Sequence, residues 1–233
     1  MKIYGLVFIC LLAMTSPIHA NWDLATDFSI DNNPNAAWSF GCTDTLGGFT
    51  LFPWHGYYDN VPHWSTELGE SEGYSYSEPC IWKNAQNISR HNVPPYEVCF
   101  HPSNGDRMAV VRWTSPIDGE INLSGAFGEG NIGDVELFIT KTDALGTKTL
   151  FHIADTYDTQ TFYIDTTVAV GDKIDFLVGN AGDWNSDGTP LAVTIIPKSL
   201  TISLLGNGCM ILIDQIVDQL EKCFIANRQG STK

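Results

Sequence analysis

The stretch Glu120-Ile-Asn-Leu-Ser-Gly-Ala-Phe127 alternates polar and apolar residues along its length. Alternation with a period of two is typical of a β-strand that buries one of its faces. Similar short segments, separated by glycine, proline or aspartate turns, lie at 107–114, 135–140, 149–154, 161–168, 174–178 and 191–196. Strands at this spacing, without helical segments between them, predict an all-β fold: an antiparallel β-sandwich, jelly-roll-like.

The first twenty residues have the pattern of a secretory signal peptide. Lys2 supplies a positive charge, an apolar run extends from Ile3 to Met14, and Ala20 stands at a plausible cleavage point. We therefore expect residues 1–20 to be a removable leader and residues 21–197 to form the sandwich domain. The protein is then expected to be secreted, extracellular or periplasmic, with no membrane span after cleavage.

The last segment, residues 198–233, departs from the strand pattern. Between Cys209 and Ile225, apolar residues recur at intervals of three and four, which is typical of an amphipathic α-helix. This helix has two possible partners. It packs on its own sandwich, or it pairs with a second copy and makes a homo-oligomer.

The charge balance restricts the partners of the chain. Twelve basic and 27 acidic residues give a formal net charge of −15. Nucleic acid binding depends on basic side chains that neutralise phosphates, so this composition argues against a nucleic acid partner. Carboxylates are the ligands that calcium prefers, although acidic residues also serve solubility alone.

Cysteine usage fits an oxidising compartment. Six cysteines are present, and five of them lie beyond the expected leader. Cys80 and Cys99 flank a single stretch rich in turn residues, and we expect a disulfide between them. The odd count leaves one cysteine over.

Several motifs, taken together, resemble a β-sandwich module of secreted bacterial proteins. They are Trp22-Asp-Leu-Ala-Thr-Asp-Phe-Ser29, Asn33-Pro34-Asn35, Trp38-Ser-Phe-Gly41, Pro79-Cys-Ile-Trp-Lys-Asn84, His101-Pro102 with Asn104-Gly105, and Val110-Val-Arg-Trp-Thr114. That module is itself similar to galactose-binding-like jelly rolls. The resemblance spans nearly the whole domain and implies a sugar-binding role.

Aromatic residues are concentrated between positions 54 and 82, in a segment rich in turn residues. Sugar rings present apolar CH faces, for which flat aromatic rings are suitable partners. Trp82 is expected in the core, and the alternative for the others is that they cap one end of the sandwich. The candidate ligand-binding residues, for a polysaccharide or other glycan, are Trp54, Tyr57, Tyr58, Trp64, Tyr74 and Tyr76.

One loop has the pattern of half a calcium site. Asp183, Asn185 and Asp187 alternate before Gly188, as in the first half of an EF-hand loop, but no glutamate stands at the twelfth position. We therefore expect calcium as a candidate cofactor, held with help from elsewhere in the chain. The alternative is a turn network in which these side chains cap backbone groups.

Catalytic signatures are weak. The histidines are scattered, and no H-E-x-x-H motif occurs. Gly69-Glu-Ser-Glu-Gly73 has the G-x-S-x-G spacing, but it stands in a loop-rich segment rather than between a strand and a helix. The sequence leaves catalysis undecided and favours a non-enzyme. The first hypothesis is thus a secreted, non-catalytic carbohydrate-binding module, with calcium as a candidate stabilising ion. The alternatives are an extracellular structural or adhesive protein that assembles through its C-terminal helix, and a glycan hydrolase.

Overall fold

The computed structural model describes residues 21–58, 60–66, 78–131, 133–182 and 185–198. Some sequence predictions fall elsewhere in the chain. The leader, Tyr74, Tyr76, Asp183 and the helix Cys209–Ile225 all lie outside the described residues.

Strands dominate the described ranges, which contain one short helix, α1 (Leu24–Asp27). In chain order the strands are β1 (Trp22–Asp23), β2 (Trp38–Thr43), β3 (Thr50–Leu51), β4 (Trp54–Tyr58), β5 (Val61–Ser65), β6 (Cys80–Lys83), β7 (Val98–His101), β8 (Met108–Thr114), β9 (Gly119–Phe127), β10 (Val135–Asp143), β11 (Gly146–Thr156), β12 (Gln160–Val168), β13 (Lys173–Gly179) and β14 (Thr189–Pro197).

Two antiparallel sheets make the sandwich. The larger has the order β12-β9-β14-β7-β6-β5-β4, with β1 added on β14, and the smaller has the order β11-β10-β13-β8-β2-β3. Neighbours in each sheet are mostly distant in sequence, as in Greek-key arrangements. The predicted all-β antiparallel sandwich is confirmed.

The core lies between the two inner faces. Phe162 of the larger sheet meets Phe176 of the smaller at 5.9 Å between ring centroids, and Trp22 meets Trp113 at 5.1 Å. Ile121 and Leu123, from the alternating stretch of β9, are fully buried in the same cluster. The strand alternation read from the sequence therefore marks the face that is removed from water.

An ion pair anchors the outer face of the smaller sheet. Arg112 binds the carboxylate of Asp175 through two hydrogen bonds, of 2.6 Å from Nε and 2.7 Å from Nη2. Its guanidinium also lies 4.3 Å from the ring centroid of Phe49 and 3.4 Å from the carbonyl oxygen of Gly48. These contacts hold the loop between β2 and β3 against the sheet.

The strand register corrects the expected Cys80–Cys99 disulfide, because both residues are free, buried thiols. Cys80 is paired with His101 and Cys99 with Trp82, so the two cysteines are diagonal neighbours on β6 and β7. Diagonal Cα atoms lie about 7–8 Å apart, whereas a disulfide prefers about 4.4–6.8 Å. Burial raises the pKa of both thiols well above its usual value, which keeps them protonated.

The described ranges contain no helix that is both long enough and apolar enough to cross a membrane.

Candidate functional site

The edge of the larger sheet presents an aromatic surface on its outer face. Across β4, β5 and β6, Gly56 is paired with His63 and His63 with Trp82. Residues paired across antiparallel strands share a face of the sheet. Ile81 is fully buried in the core, so its neighbour Trp82 belongs to the opposite, outer face together with His63.

Trp54 lies on this same face because it precedes Gly56 by two residues. Its indole extends along the strand over the glycine, since a β-carbon at position 56 would lie 2.6 Å from Cη2 of Trp54. The ring centroid of Trp54 is 5.1 Å from that of His63. Glycine at position 56 therefore leaves the space that the indole occupies.

We call Trp54, His63 and Trp82 the tryptophan platform. The two indoles are half-buried, whereas His63 is 2% exposed. Trp82 also meets His91 edge-on, with ring centroids 6.2 Å apart. The platform spans two strand spacings, about 10 Å, and offers partly exposed rings at both ends.

Trp82 is a residue whose role the sequence analysis missed. It was expected in the core, but it is half-buried on the outer face. The signal was present in the alternation of β6, where an apolar Ile81 precedes Trp82 and Lys83 follows it. Once Ile81 is assigned to the core, its neighbour must point away from it.

Two other predicted ligand-binding residues, Tyr57 and Trp64, have described side chains, and neither joins the platform. Tyr57 is 62% exposed but lies three residues from Trp54, so it occupies the opposite face of β4. Tyr58 belongs to β4, paired with Val61. The prediction that Trp64 binds a ligand is wrong. Trp64 is 4% exposed, and its indole N–H donates to the carbonyl oxygen of Ser29 at 2.8 Å. A ring packed in the core does not contact a glycan.

A carboxyl and an imidazole lie further along this outer face. His101 Nδ1 is 2.9 Å from the carbonyl oxygen of Pro102 and 3.4 Å from Oε1 of Glu78. Burial raises the pKa of Glu78 to about 7. Burial also lowers the pKa of His101, although the bond to Pro102 opposes this effect. Burial therefore disfavours the charged form of both groups.

The raised pKa of Glu78 predicts a pH-dependent stability. A carboxyl whose folded pKa of about 7 exceeds an unfolded value near 4.5 binds more protons in the native state. The protonated carboxyl therefore contributes to the free energy of unfolding below about pH 4.5. This contribution, of up to ~3 kcal/mol, is lost as the pH rises to about 7. We expect Glu78→Gln to remove this loss. Urea unfolding of both proteins at about pH 5 and about pH 7.5 measures it.

Glu120→Gln is the control for this measurement, because Glu120 is exposed. If the free energy of unfolding falls equally in wild type and in Glu78→Gln between the two pH values, the loss does not come from the raised pKa of Glu78.

The candidate calcium loop, which we call the half-loop, includes Asn185, Ser186 and Asp187, and it packs against the loop that contains Gly133. Asp187 is 1% exposed, and its Oδ1 abuts Gly133, whose backbone N–H donates to the carbonyl oxygen of Ser186 at 3.1 Å. A β-carbon at position 133 would also lie 2.5 Å from the carbonyl oxygen of Asn185. Oxygen atoms of the half-loop therefore gather beside a glycine. Within the described ranges, no three His, Cys, Asp or Glu side chains are grouped to hold a metal ion.

No protein-family model matches the chain, and no curated protein matches it either. Among solved structures, the active domain of a bacteriophage CBA120 tailspike protein is similar at 11% identity and a TM-score of 0.34, over 74% of this chain and 20% of the tailspike chain. The chain thus spans about a fifth of that protein.

Several of the other similar structures are carbohydrate-binding modules. A family 35 module from Clostridium thermocellum shares 11% identity at a TM-score of 0.27, over 60% of this chain and 94% of the module. A Clostridium thermocellum xylanase 10B fragment with CBM22-1 and GH10 modules shares 10% identity at a TM-score of 0.34, over 81% of this chain and 30% of the fragment. Similarity this low assigns no function, and the β-sandwich is established by the strand pairing itself.

Proposed function

We propose that the protein is a secreted, non-catalytic carbohydrate-binding module. The observation that carries the proposal is the tryptophan platform, in which Trp54 and Trp82 are partly exposed on one face of three neighbouring strands. Indole rings offer a flat apolar surface with a polar N–H at one edge. A sugar presents the matching combination of CH faces and hydroxyl groups.

The platform lies on paired strands, so its rings are held in place before a ligand binds. Gly56 and His63 support the indole of Trp54 from beneath and from the side. A ring that is already held loses little conformational entropy when a ligand stacks on it. The surface is therefore suited to repeated weak contacts along an extended polysaccharide.

Charge narrows the class of polysaccharide. The formal net charge of −15 repels uronate-rich or sulfated chains. We therefore propose neutral polysaccharides as the ligands of the platform.

The test of this function is a panel of neutral and anionic polysaccharides, with the full chain assayed for retention. We expect retention on at least one neutral polysaccharide and none on the uronates. Failure to retain the protein on every neutral member of the panel would reject the function.

Calcium is proposed as a stabilising ion of the half-loop around Asp187. The buried carboxylate and the nearby carbonyl oxygen of Asn185 supply the hard oxygen atoms that calcium requires. An ion that binds only the folded state stabilises it by about 2.7 kcal/mol at a concentration 100 times its Kd.

We therefore expect calcium to raise the melting temperature of chelator-treated protein and to release or absorb heat in titration calorimetry. Asp187→Asn should abolish both effects, whereas Asp31→Asn, at an exposed aspartate, should leave them intact. Absence of heat together with an unchanged melting temperature would eliminate the calcium proposal and leave the platform untouched.

A further inference from the structure

A cleft lies at one end of the smaller sheet, on the sheet opposite to the tryptophan platform. Here β2, β11 and β13 end while β8 and β10 begin, and the loops after β7 and β13 close the end. Its volume is about 470 Å³, within the range of about 300–1,000 Å³ typical of small-molecule sites. The lining includes Asp44, Asp106, Met108, Glu136, Ala154 and Asn180.

Hydrogen bonds of Asn180 hold the loop wall of the cleft in place. Its side-chain amide donates to the carbonyl oxygens of Ser103 and Gly105, each at 3.0 Å. Its side-chain oxygen accepts from the backbone N–H of Gly182 at 3.1 Å. The two loops are thus joined to each other, and the cleft exists before any ligand binds.

A flat ring stands beside the cleft. The imidazole of His152 is stacked on Phe138, with centroids 4.3 Å apart and planes 6° from parallel. His152 is 42% exposed at its side chain, and its Nε2 is 2.8 Å from Oε1 of Glu136, which lines the cleft. Since Phe138 covers one face of the imidazole, the accessible face is the other one.

The polar groups of the cleft accept hydrogen bonds. The carboxylates of Asp44, Asp106 and Glu136 come from three separate segments, and none of the described residues that line the cleft is a lysine or an arginine. Within the described ranges no three acidic or histidine side chains are close enough together to hold a metal ion. Acceptors spread around a cavity suit an organic ligand with several donor groups rather than a single cation.

We propose that this cleft binds one sugar residue that carries hydroxyl or amino donors and no negative charge. The free face of His152 packs against the apolar face of the sugar, and the carboxylates of Asp106, Glu136 and Asp44 accept its hydrogen bonds. This is a second site, separate from the tryptophan platform, and it goes beyond the function proposed for that platform.

The test uses the full chain and three trisaccharides in titration calorimetry: a neutral glucose trimer, a glucosamine trimer and a galacturonate trimer. We expect the first two to bind and the third not to bind. Asp106→Asn and His152→Ala should each weaken binding by ~10-fold or more, because each removes a charge-assisted hydrogen bond or a stacking ring. Asp106 is exposed, so we expect its substitution to leave the fold intact.

Two control variants separate this cleft from other carboxylates and from the platform. Glu120→Gln, at an exposed carboxylate outside the cleft, should leave trisaccharide binding unchanged. Trp54→Ala removes one ring of the tryptophan platform, so trisaccharide binding that remains in this variant, and is lost when Asp106→Asn is added to it, belongs to the cleft. The cleft proposal is overturned if no neutral or amino trimer binds, if the galacturonate trimer binds as tightly as the others, or if Asp106→Asn and His152→Ala bind like wild type.

The outcome for the cleft and the outcome for the platform are distinguishable. Retention on a polysaccharide that depends on Trp54, without trisaccharide binding, removes the cleft alone. Trisaccharide binding that depends on Asp106, without any polysaccharide retention, supports the cleft and rejects the platform.

Discussion

Replacing Trp54 with alanine is expected to weaken retention on a polysaccharide bound by the wild type by about 10- to 100-fold, or ~1.5–3 kcal/mol. The indole is one of the two partly exposed rings on the outer face of β4 to β6. Without it, Gly56 and His63 remain at that end of the platform, and a sugar has no flat ring there on which to stack. Affinity electrophoresis or a binding isotherm on the retained polysaccharide measures the change.

Neighbouring tyrosines provide the matched controls for Trp54→Ala. Tyr57 is exposed on the opposite face of the same strand, and Tyr163 is 74% exposed on β12, at the other edge of the larger sheet. Tyr57→Ala and Tyr163→Ala should therefore retain the polysaccharide as wild type does. Loss of binding in Tyr57→Ala but not in Trp54→Ala would place the glycan on the wrong face for our proposal.

Gly56→Ala tests the position of the Trp54 ring without removing it. The added β-carbon would lie 2.6 Å from Cη2 of Trp54, so the indole must move. Retention should fall although both tryptophans remain. Unchanged retention would contradict the proposal that binding depends on the position of the Trp54 indole over Gly56.

Replacing Arg112 with methionine is expected to lower the free energy of unfolding by about 3–5 kcal/mol. The substitution leaves the carboxylate of Asp175, which is fully buried, without its ion-pair partner. It also releases the contacts of the guanidinium with Phe49 and the carbonyl oxygen of Gly48. Urea unfolding followed by tryptophan fluorescence measures the loss.

A double variant keeps this prediction informative if the single variant does not fold. Arg112→Met combined with Asp175→Leu removes both charges, and replacing a buried pair by apolar side chains is often close to neutral. The double variant should therefore be more stable than Arg112→Met. Lys198→Ala is the surface comparison, because the Lys198–Asp165 pair is exposed and should contribute little. A double variant less stable than Arg112→Met would show that the uncompensated charge is not the cause.

The sheet layers could be predicted because their cause is local. Alternation in β9 and the apolar segments of β13 and β14 marked the strands correctly, and Ile121 and Leu123 are indeed buried. Burial of one face requires only that every second residue be apolar. No knowledge of the partner strand is needed for that conclusion.

The face of an aromatic residue could be predicted only where a neighbour in the same strand was first assigned to the core, as Ile81 is beside Trp82. Trp64 and Trp82 both stand in short strands beside at least one polar residue, yet one is in the core and the other faces outward. Tryptophan is compatible with either environment, since it combines a large apolar area with a polar N–H. Pairing between β4, β5 and β6 decides which rings stand together.

The chain by itself thus determined the class of fold, the strands and the stretch of sequence in which aromatic residues concentrate, because these depend on residue type and period. Only the tertiary structure decided that Cys80 and Cys99 are diagonal rather than opposite, that Arg112 meets Asp175, and that Asp44, Asp106 and Glu136 line one cleft. These contacts join residues far apart in sequence. They follow from strand order and register, which the cooperative packing of both sheets selects and no local pattern encodes.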